Sequence, residues 1–162
     1  MYKKLIVILV ILTTLYGCTK DDICPEGTVT TPLLIINFKD NANPTLLKDV
    51  DSLTVETNYD SSVLVYSQVT TDSISISLRP GEETTEYRFI KYAGESNEVI
   101  DIYSFSYDHT NIYINRACGF KATYSNLSAE KIDTNSNNWI TNTQIIKTTV
   151  EDETEAHITF FH

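Results

Sequence analysis

Few side chains in this sequence are spaced for chemistry. The run Asp133-Thr134-Asn135-Ser136-Asn137-Asn138-Trp139-Ile140 opens like a calcium loop: oxygen ligands alternate, Asn138 stands sixth where a left-handed backbone is needed, and the eighth residue is aliphatic. The twelfth residue, however, is Gln144 rather than a bidentate Glu, and Asp133 is the only carboxylate, so there is little charge to hold a dication. The expectation is a loop of side-chain-capped turns without metal. Ser128-Ala129-Glu130-Lys131 has the Ser-x-x-Lys spacing, in which an amine one helical turn away lowers the barrier to deprotonating a serine hydroxyl. Its companion Ser-Asp-Asn string is absent and Lys147-Thr148-Thr149 only grazes Lys-Thr-Gly. Residues 128–132 are therefore expected to form a surface turn, at most one turn of helix.

The remaining polar candidates read the same way. His157 and His162, five apart on a predicted strand, point to opposite faces and cannot share a metal without a bend. His109, beside Asp108, reads as a turn residue. Glu82, Glu83 and Glu86 crowd a turn after Pro80-Gly81, and nothing pairs one of them with a distant carboxylate for acid–base work. Tyr103, Phe105 and Tyr107 share one face of a predicted strand. Exposed, that row would stack on sugars or on a partner's apolar patch, whereas such alternation more often fills a core. No catalytic residue, metal ligand or cofactor is assigned.

Cysteine supplies the clearest chemistry. Lys3 and Lys4 precede an apolar run, Leu5 to Leu12, and then Leu15-Tyr16-Gly17-Cys18, the layout of an export signal. The apolar stretch is too short for the roughly 20 residues that span a bilayer. Leu15 to Cys18 resembles a lipobox, whose Cys thiol receives a diacylglyceryl group before cleavage, although Tyr16 replaces the usual small residue. The expected products are a signal peptide over 1–17 and a lipidated tether over 18–32, anchored in a lipid bilayer through acylated Cys18. Cys24 and Cys118 are then left over, and a leftover pair in an oxidising compartment usually crosslinks. Two separately buried free thiols are the alternative.

Loss of residues 1–17 takes away Lys3 and Lys4 and no acid, moving the formal charge from −10 to −12. Such an acidic domain repels phosphate backbones and anionic headgroups, so no nucleic-acid partner is expected, and anchoring is expected to rest on acyl chains rather than on a basic patch.

The elements that must position these residues are strands. Short β-branched and aromatic runs separated by Asp, Asn, Gly and Ser clusters place strands near 33–38, 52–58, 63–69, 73–79, 85–92, 98–107, 111–116, 119–125, 143–150 and 156–161. Ser73-Ile74-Ser75-Ile76-Ser77-Leu78 alternates strictly, with one face for a core and one for water. The last two strands, joined by the acidic run Glu151 to Glu155, form a C-terminal hairpin. No stretch repeats apolar residues at helical spacing. The fold expected over 33–162 is a single all-β antiparallel β-sandwich, with an immunoglobulin-like arrangement as one option.

Arg116-Ala117-Cys118-Gly119-Phe120-Lys121, Asn138-Trp139-Ile140, Ala156-His157-Ile158 and, after the lipobox, Cys24-Pro25-Glu26-Gly27 resemble a family of uncharacterised Bacteroidota lipoproteins, domain of unknown function 6452. The resemblance covers most of the mature chain. It implies a small β-rich envelope domain, the two matching cysteines as a pair, and no assigned activity. Lys20-Asp21-Asp22 resembles the Lys-acid-acid signal that takes such lipoproteins to the outer face of the outer membrane; a solvated tether is the alternative. Asp51-Ser52-Leu53 and Asp72-Ser73-Ile74 resemble acceptor strings for O-linked glycans in that phylum. The expected role is a non-enzymatic binding or assembly component, with another envelope protein as partner. The alternatives are a carbohydrate- or peptide-binding lipoprotein using the aromatic strand face and, last, a hydrolase.

Overall fold

Apolar and polar residues alternate with period two along most of the chain, which can bury one face of a strand but not a helix stripe. The computed structural model describes residues 23–132 and 137–162, and its regular elements are nine strands: β1 (Leu34–Lys39), β2 (Val50–Thr57), β3 (Leu64–Thr71), β4 (Ser73–Ile76), β5 (Thr84–Lys91), β6 (Val99–Asn115), β7 (Gly119–Lys131), β8 (Asn142–Ile145) and β9 (Ile158–Phe161). They form a four-stranded sheet in the order β4-β1-β9-β8 and a five-stranded sheet in the order β3-β2-β5-β6-β7. The fold is an all-β sandwich. One pairing, β1 with β9, is parallel. The strand order is not that of an immunoglobulin domain, where the first, second, fourth and fifth strands share a sheet; here β1 and β4 share one sheet, β2 and β5 the other.

The chain divides into two compact units. One holds residues 31–111 and 122–162; among the described residues the other holds 23–30 and 112–121, so β6 and β7 each contribute to both. In the larger unit the inward residues of β1, β4 and β9 (Leu34, Ile36, Phe38, Ile74, Ile76, Ile158, Phe160) meet those of β2, β5, β6 and β7 in one buried cluster. An aromatic slab runs through its centre: Phe160 lies edge-on to Phe89 at 5.4 Å and against Tyr103 at 4.6 Å. Full burial of one such side chain stabilises by about 1.5–3 kcal/mol, and paired rings add about 0.5–1.5 kcal/mol. Core phenols reach backbone carbonyls, Tyr87 Oη donating to Ser77 at 2.7 Å and Tyr124 Oη to Leu78 at 3.1 Å.

Three local expectations differ from the fold. The predicted strands 98–107 and 111–116 are one continuous strand, β6, so Asp108 and His109 sit in strand rather than in a turn. Asp108 there accepts a hydrogen bond from Asn126 Nδ2 on β7 at 2.6 Å, so cross-strand pairing overrides local turn propensity. The helical turn considered for 128–132 is absent: β7 continues to Lys131, and Ile132 N still donates to Ile102 O at 2.9 Å. Asn126 adopts φ +53°, an extra residue that moves the inward phase of β7 from Ala122 and Tyr124 to Leu127. The C-terminal hairpin forms, but its first strand ends at Ile145. Val150 instead exchanges both backbone hydrogen bonds with Tyr124 on the edge strand β7.

Candidate functional site

In the smaller unit two turns present the paired cysteines. Pro25 to Thr28 closes a turn in which Thr28 N and Oγ1 both donate to Pro25 O, at 3.3 and 2.7 Å, and Gly27 supplies the left-handed third residue at φ +79°. The loop between β6 and β7 is closed by Cys118 N donating to Asn115 Oδ1 at 2.8 Å, with Gly119 at φ +70° restarting the strand. Cys24 and Cys118 form a disulfide with their Cα atoms 4.8 Å apart. Around the bridge the hairpin tip is bare. Tyr113 and Phe120 meet edge-on at 5.3 Å yet remain 59 % and 67 % exposed, and Ile112, Ile23 and Val29 are exposed too.

The larger unit contains a buried polar centre on β6. Residues 101, 103, 105 and 107 share the inward phase, so Asp101 enters the core with Tyr103, Phe105 and Tyr107. Its Oδ2 accepts Ile140 N at 2.6 Å, Trp139 N at 3.2 Å and the Lys131 ammonium at 3.2 Å, while Lys131 Nζ also donates to Ile140 O at 2.9 Å. One carboxylate thereby holds the chain that leads into β8. Trp139 is fixed at its other end by Nε1 donating to Phe89 O at 3.0 Å. Beside this centre lies an open groove of about 650 Å³ whose lining includes Tyr103, Lys131, Asn138, Asn142 and Thr143. Two of its lining residues join through their hydroxyls, Tyr103 Oη and Thr143 Oγ1 at 2.9 Å.

These features sit largely within a recognised segment. The family of unknown function DUF6452 matches residues 52–162, more than half of the chain. The chain belongs to this family. No curated protein and no solved structure matches it. The part matching DUF6452 takes in Cys118, Asp101, Lys131, Trp139 and all three histidines, while Cys24 lies before it.

Placed on this DUF6452 fold, the sequence candidates separate rather than converge. Ser128 Oγ donates to Ser106 O at 3.5 Å, and Lys131 turns to Asp101 instead, so the Ser-x-x-Lys pair makes no catalytic contact. The aromatic row Tyr103, Phe105 and Tyr107 is buried and fills the core, which removes the strand face on which stacking was considered. Glu82 pairs with Arg79, and Glu86 accepts from Asn58 Nδ2. Ser52 lies at a register shift of β2 with φ +47°, and the Ser73 hydroxyl donates to Asn37 Oδ1 at 2.9 Å. Cys18, Lys20, Asp21, Asp22 and Asp133 to Ser136 lie outside the described residues. Gln144, twelfth of the calcium-like string, is paired with Thr159 inside the β8–β9 ladder. Among the described residues no three of His, Cys, Asp and Glu gather as a metal site.

The two C-terminal histidines are structural. His157 Nδ1 accepts Ile35 N at 3.0 Å, which puts the proton of the neutral ring on Nε2. Burial pushes its pKa down, helped by Lys147 and opposed by Asp152 and Glu155. His162 Nε2 donates to Lys48 O at 3.3 Å and its Nδ1 faces the Lys91 ammonium at 3.2 Å. Burial is again the main cause of its lowered pKa.

Asp101 was not singled out in sequence. An acid at the inward phase of an aromatic strand, two residues before Tyr103, was the signal available for it.

Proposed function

We propose that the protein is an envelope lipoprotein, exported by its N-terminal signal, acylated on Cys18 and held on the outer membrane. Its sandwich serves as a non-enzymatic binding or assembly component for another envelope protein. The observation that carries this reading is the use of the cysteines. Cys24 and Cys118 satisfy each other, so the thiol that follows Leu15-Tyr16-Gly17 is the one left for lipid. The residues with catalytic spacing are engaged in holding backbone, which favours binding over turnover. A bacterial envelope of the Bacteroidota type fits the lipobox and the Lys20-Asp21-Asp22 string, with the surface or the periplasmic side as the domain's destination.

The test is Cys18→Ala. The variant should leave the membrane fraction, or stall as an uncleaved precursor, with the sandwich still folded, because the first strand begins at Leu34. Wild-type membrane retention of a processed Cys18→Ala protein refutes the anchor. Crosslinking in intact cells followed by pull-down should yield one specific envelope protein; recovery of nothing beyond background refutes the assembly role. A second reading, carbohydrate or peptide binding, draws on one observation. The groove beside Lys131 offers Asn138 and Asn142 amides, the Thr143 hydroxyl and one phenol edge in a single concavity.

A further inference from the structure

The tip of the β6–β7 hairpin combines three features that its strands alone do not require. From Asp108 to Tyr113 the burial alternation of β6 stops, and Ile112 and Tyr113, which alternate to opposite faces, are both exposed. Phe120 on β7 meets Tyr113 edge-on at 5.3 Å and stays 67 % exposed. Exposed aromatic and branched residues gathered on a loop tip mark a surface that meets something apolar. The charge of the tip also differs from that of the chain: residues 112–121 include Arg116 and Lys121 and no acid, on a chain of formal charge −10. Finally, the tip is stapled through Cys118 to Cys24, and five residues separate Cys24 from Cys18. Fully extended, that link spans at most about 22 Å.

We propose that this stapled tip is a membrane-contact surface, with Ile112, Tyr113 and Phe120 entering the headgroup layer of the bilayer that holds Cys18, and with Arg116 and Lys121 against lipid phosphates. The proposal rests on the acylation of Cys18 proposed above. The short covalent link makes the occupant a bilayer rather than a protein, because the disulfide keeps the tip within reach of the surface in which the acyl chains are buried. Held at such a high effective concentration, even a weak partition is populated. Tyr and Phe suit the boundary, since their rings occupy the apolar edge and the phenol stays wet. Two cations add attraction to anionic lipid that the net charge of the whole chain conceals.

The test uses acylated full-length protein purified in detergent and reconstituted into phosphatidylethanolamine–phosphatidylglycerol vesicles, with and without bromine on the lipid chains. The native indole, Trp139, is buried in the larger unit, so wild-type emission should be the same in both vesicles. In Phe120→Trp, at an exposed position, the added emission should shift to the blue and be lost in brominated vesicles. Tyr113→Trp, at the facing position, should behave alike and covers the case in which one variant misfolds. Mass spectrometry of the same sample reads the state of Cys18. An acylated protein whose added indole is unquenched overturns the membrane contact and leaves the anchor intact. An unacylated Cys18 overturns both. Unquenched emission in vesicles, with the tip crosslinked to a protein in intact cells, assigns the surface to a protein partner and likewise overturns the proposal.

Discussion

Replacing Asp101 by Ala should unfold the sandwich at a markedly lower temperature. The carboxylate is fully buried, so its charge cannot turn to bulk water without moving backbone, and Lys131 beside it is 20 % exposed. Asp101 Oδ2 takes two backbone N–H groups and one ammonium. Truncation leaves that ammonium with Ile140 O as its protein acceptor and deprives the Trp139 and Ile140 amides of their carboxylate. Removing one member of a buried pair costs about 3–5 kcal/mol, a large part of the roughly 5–15 kcal/mol that holds a domain together. At roughly 3–5 °C per kcal/mol for a domain of this size, Tm should fall by roughly 10–20 °C. Lys131→Met is the milder change, because the carboxylate keeps two amide donors, and should cost about 1–3 kcal/mol. The double variant should cost less than the two together, since the ammonium stranded by Asp101→Ala is then gone. Urea and thermal unfolding of the Cys18→Ala protein measure all four corners of the cycle. An Asp101→Ala loss within about 1 kcal/mol of zero, or strict additivity, would refute the reading of this centre as a coupled anchor.

Stability should be highest between the histidine and tyrosine titrations. His157 and His162 have folded pKa values below 6.5, so the unfolded chain takes protons first, and Tm should begin to fall as pH drops below about 6.5, before carboxylates titrate. At the alkaline end burial pushes Tyr87 and Tyr124 up to about 12, so the unfolded chain ionises first and stability should fall as pH rises above 10. A Tm flat from pH 8 to 5 contradicts the buried neutral histidines. A bridge spanning 94 positions constrains the unfolded chain by up to about 4.7 kcal/mol, and Cys118→Ala should cost less than that, because residues 23–30 gain freedom in the folded variant as well. Peptide mapping without reduction should recover Cys24 linked to Cys118; labelling of both as free thiols in native protein would sink the bridge. Titration calorimetry should find no tight calcium binding to the Asp133 to Gln144 string, and micromolar binding abolished by Asp133→Ala would show that its missing carboxylates do not matter.

The strands were legible wherever one face is wet. Ser73 to Leu78 alternates in sequence, and Ile74, Ile76 and Leu78 are buried. Tyr103, Phe105 and Tyr107 alternate equally well, but sequence left open whether their face would be core or binding surface, because period two says that two faces differ and not what lies against each. The break inferred at Asp108 to Thr110 came from turn-forming residues, whose local preference is outweighed once β7 pairs alongside. The helical turn at 128–132 failed for the same reason: five residues have a weak intrinsic preference, and a thirteen-residue strand already in register extends through the first four of them.

Candidate chemistry was less legible because its partners are remote in sequence. Ser128 and Lys131 are three apart and suggested each other, yet on a strand three residues place side chains on opposite faces, whereas helical spacing would have brought them together. The bulge at Asn126 does not alter this, since it precedes both residues. Lys131 therefore turns to Asp101, thirty positions away on the neighbouring strand, and that carboxylate gathers amides from 139 and 140. No spacing rule reaches such a set, but parity narrows the search. An acid in phase with three inward aromatics must be neutralised, hydrogen-bonded or moved, and a cation on an adjacent strand together with backbone N–H groups from a nearby loop is the partner set that serves without a metal. Phe120 obeys the converse rule. A large apolar residue beside Gly119 at the end of a hairpin has, among the described residues, no third strand to cover it, so its exposure follows from topology.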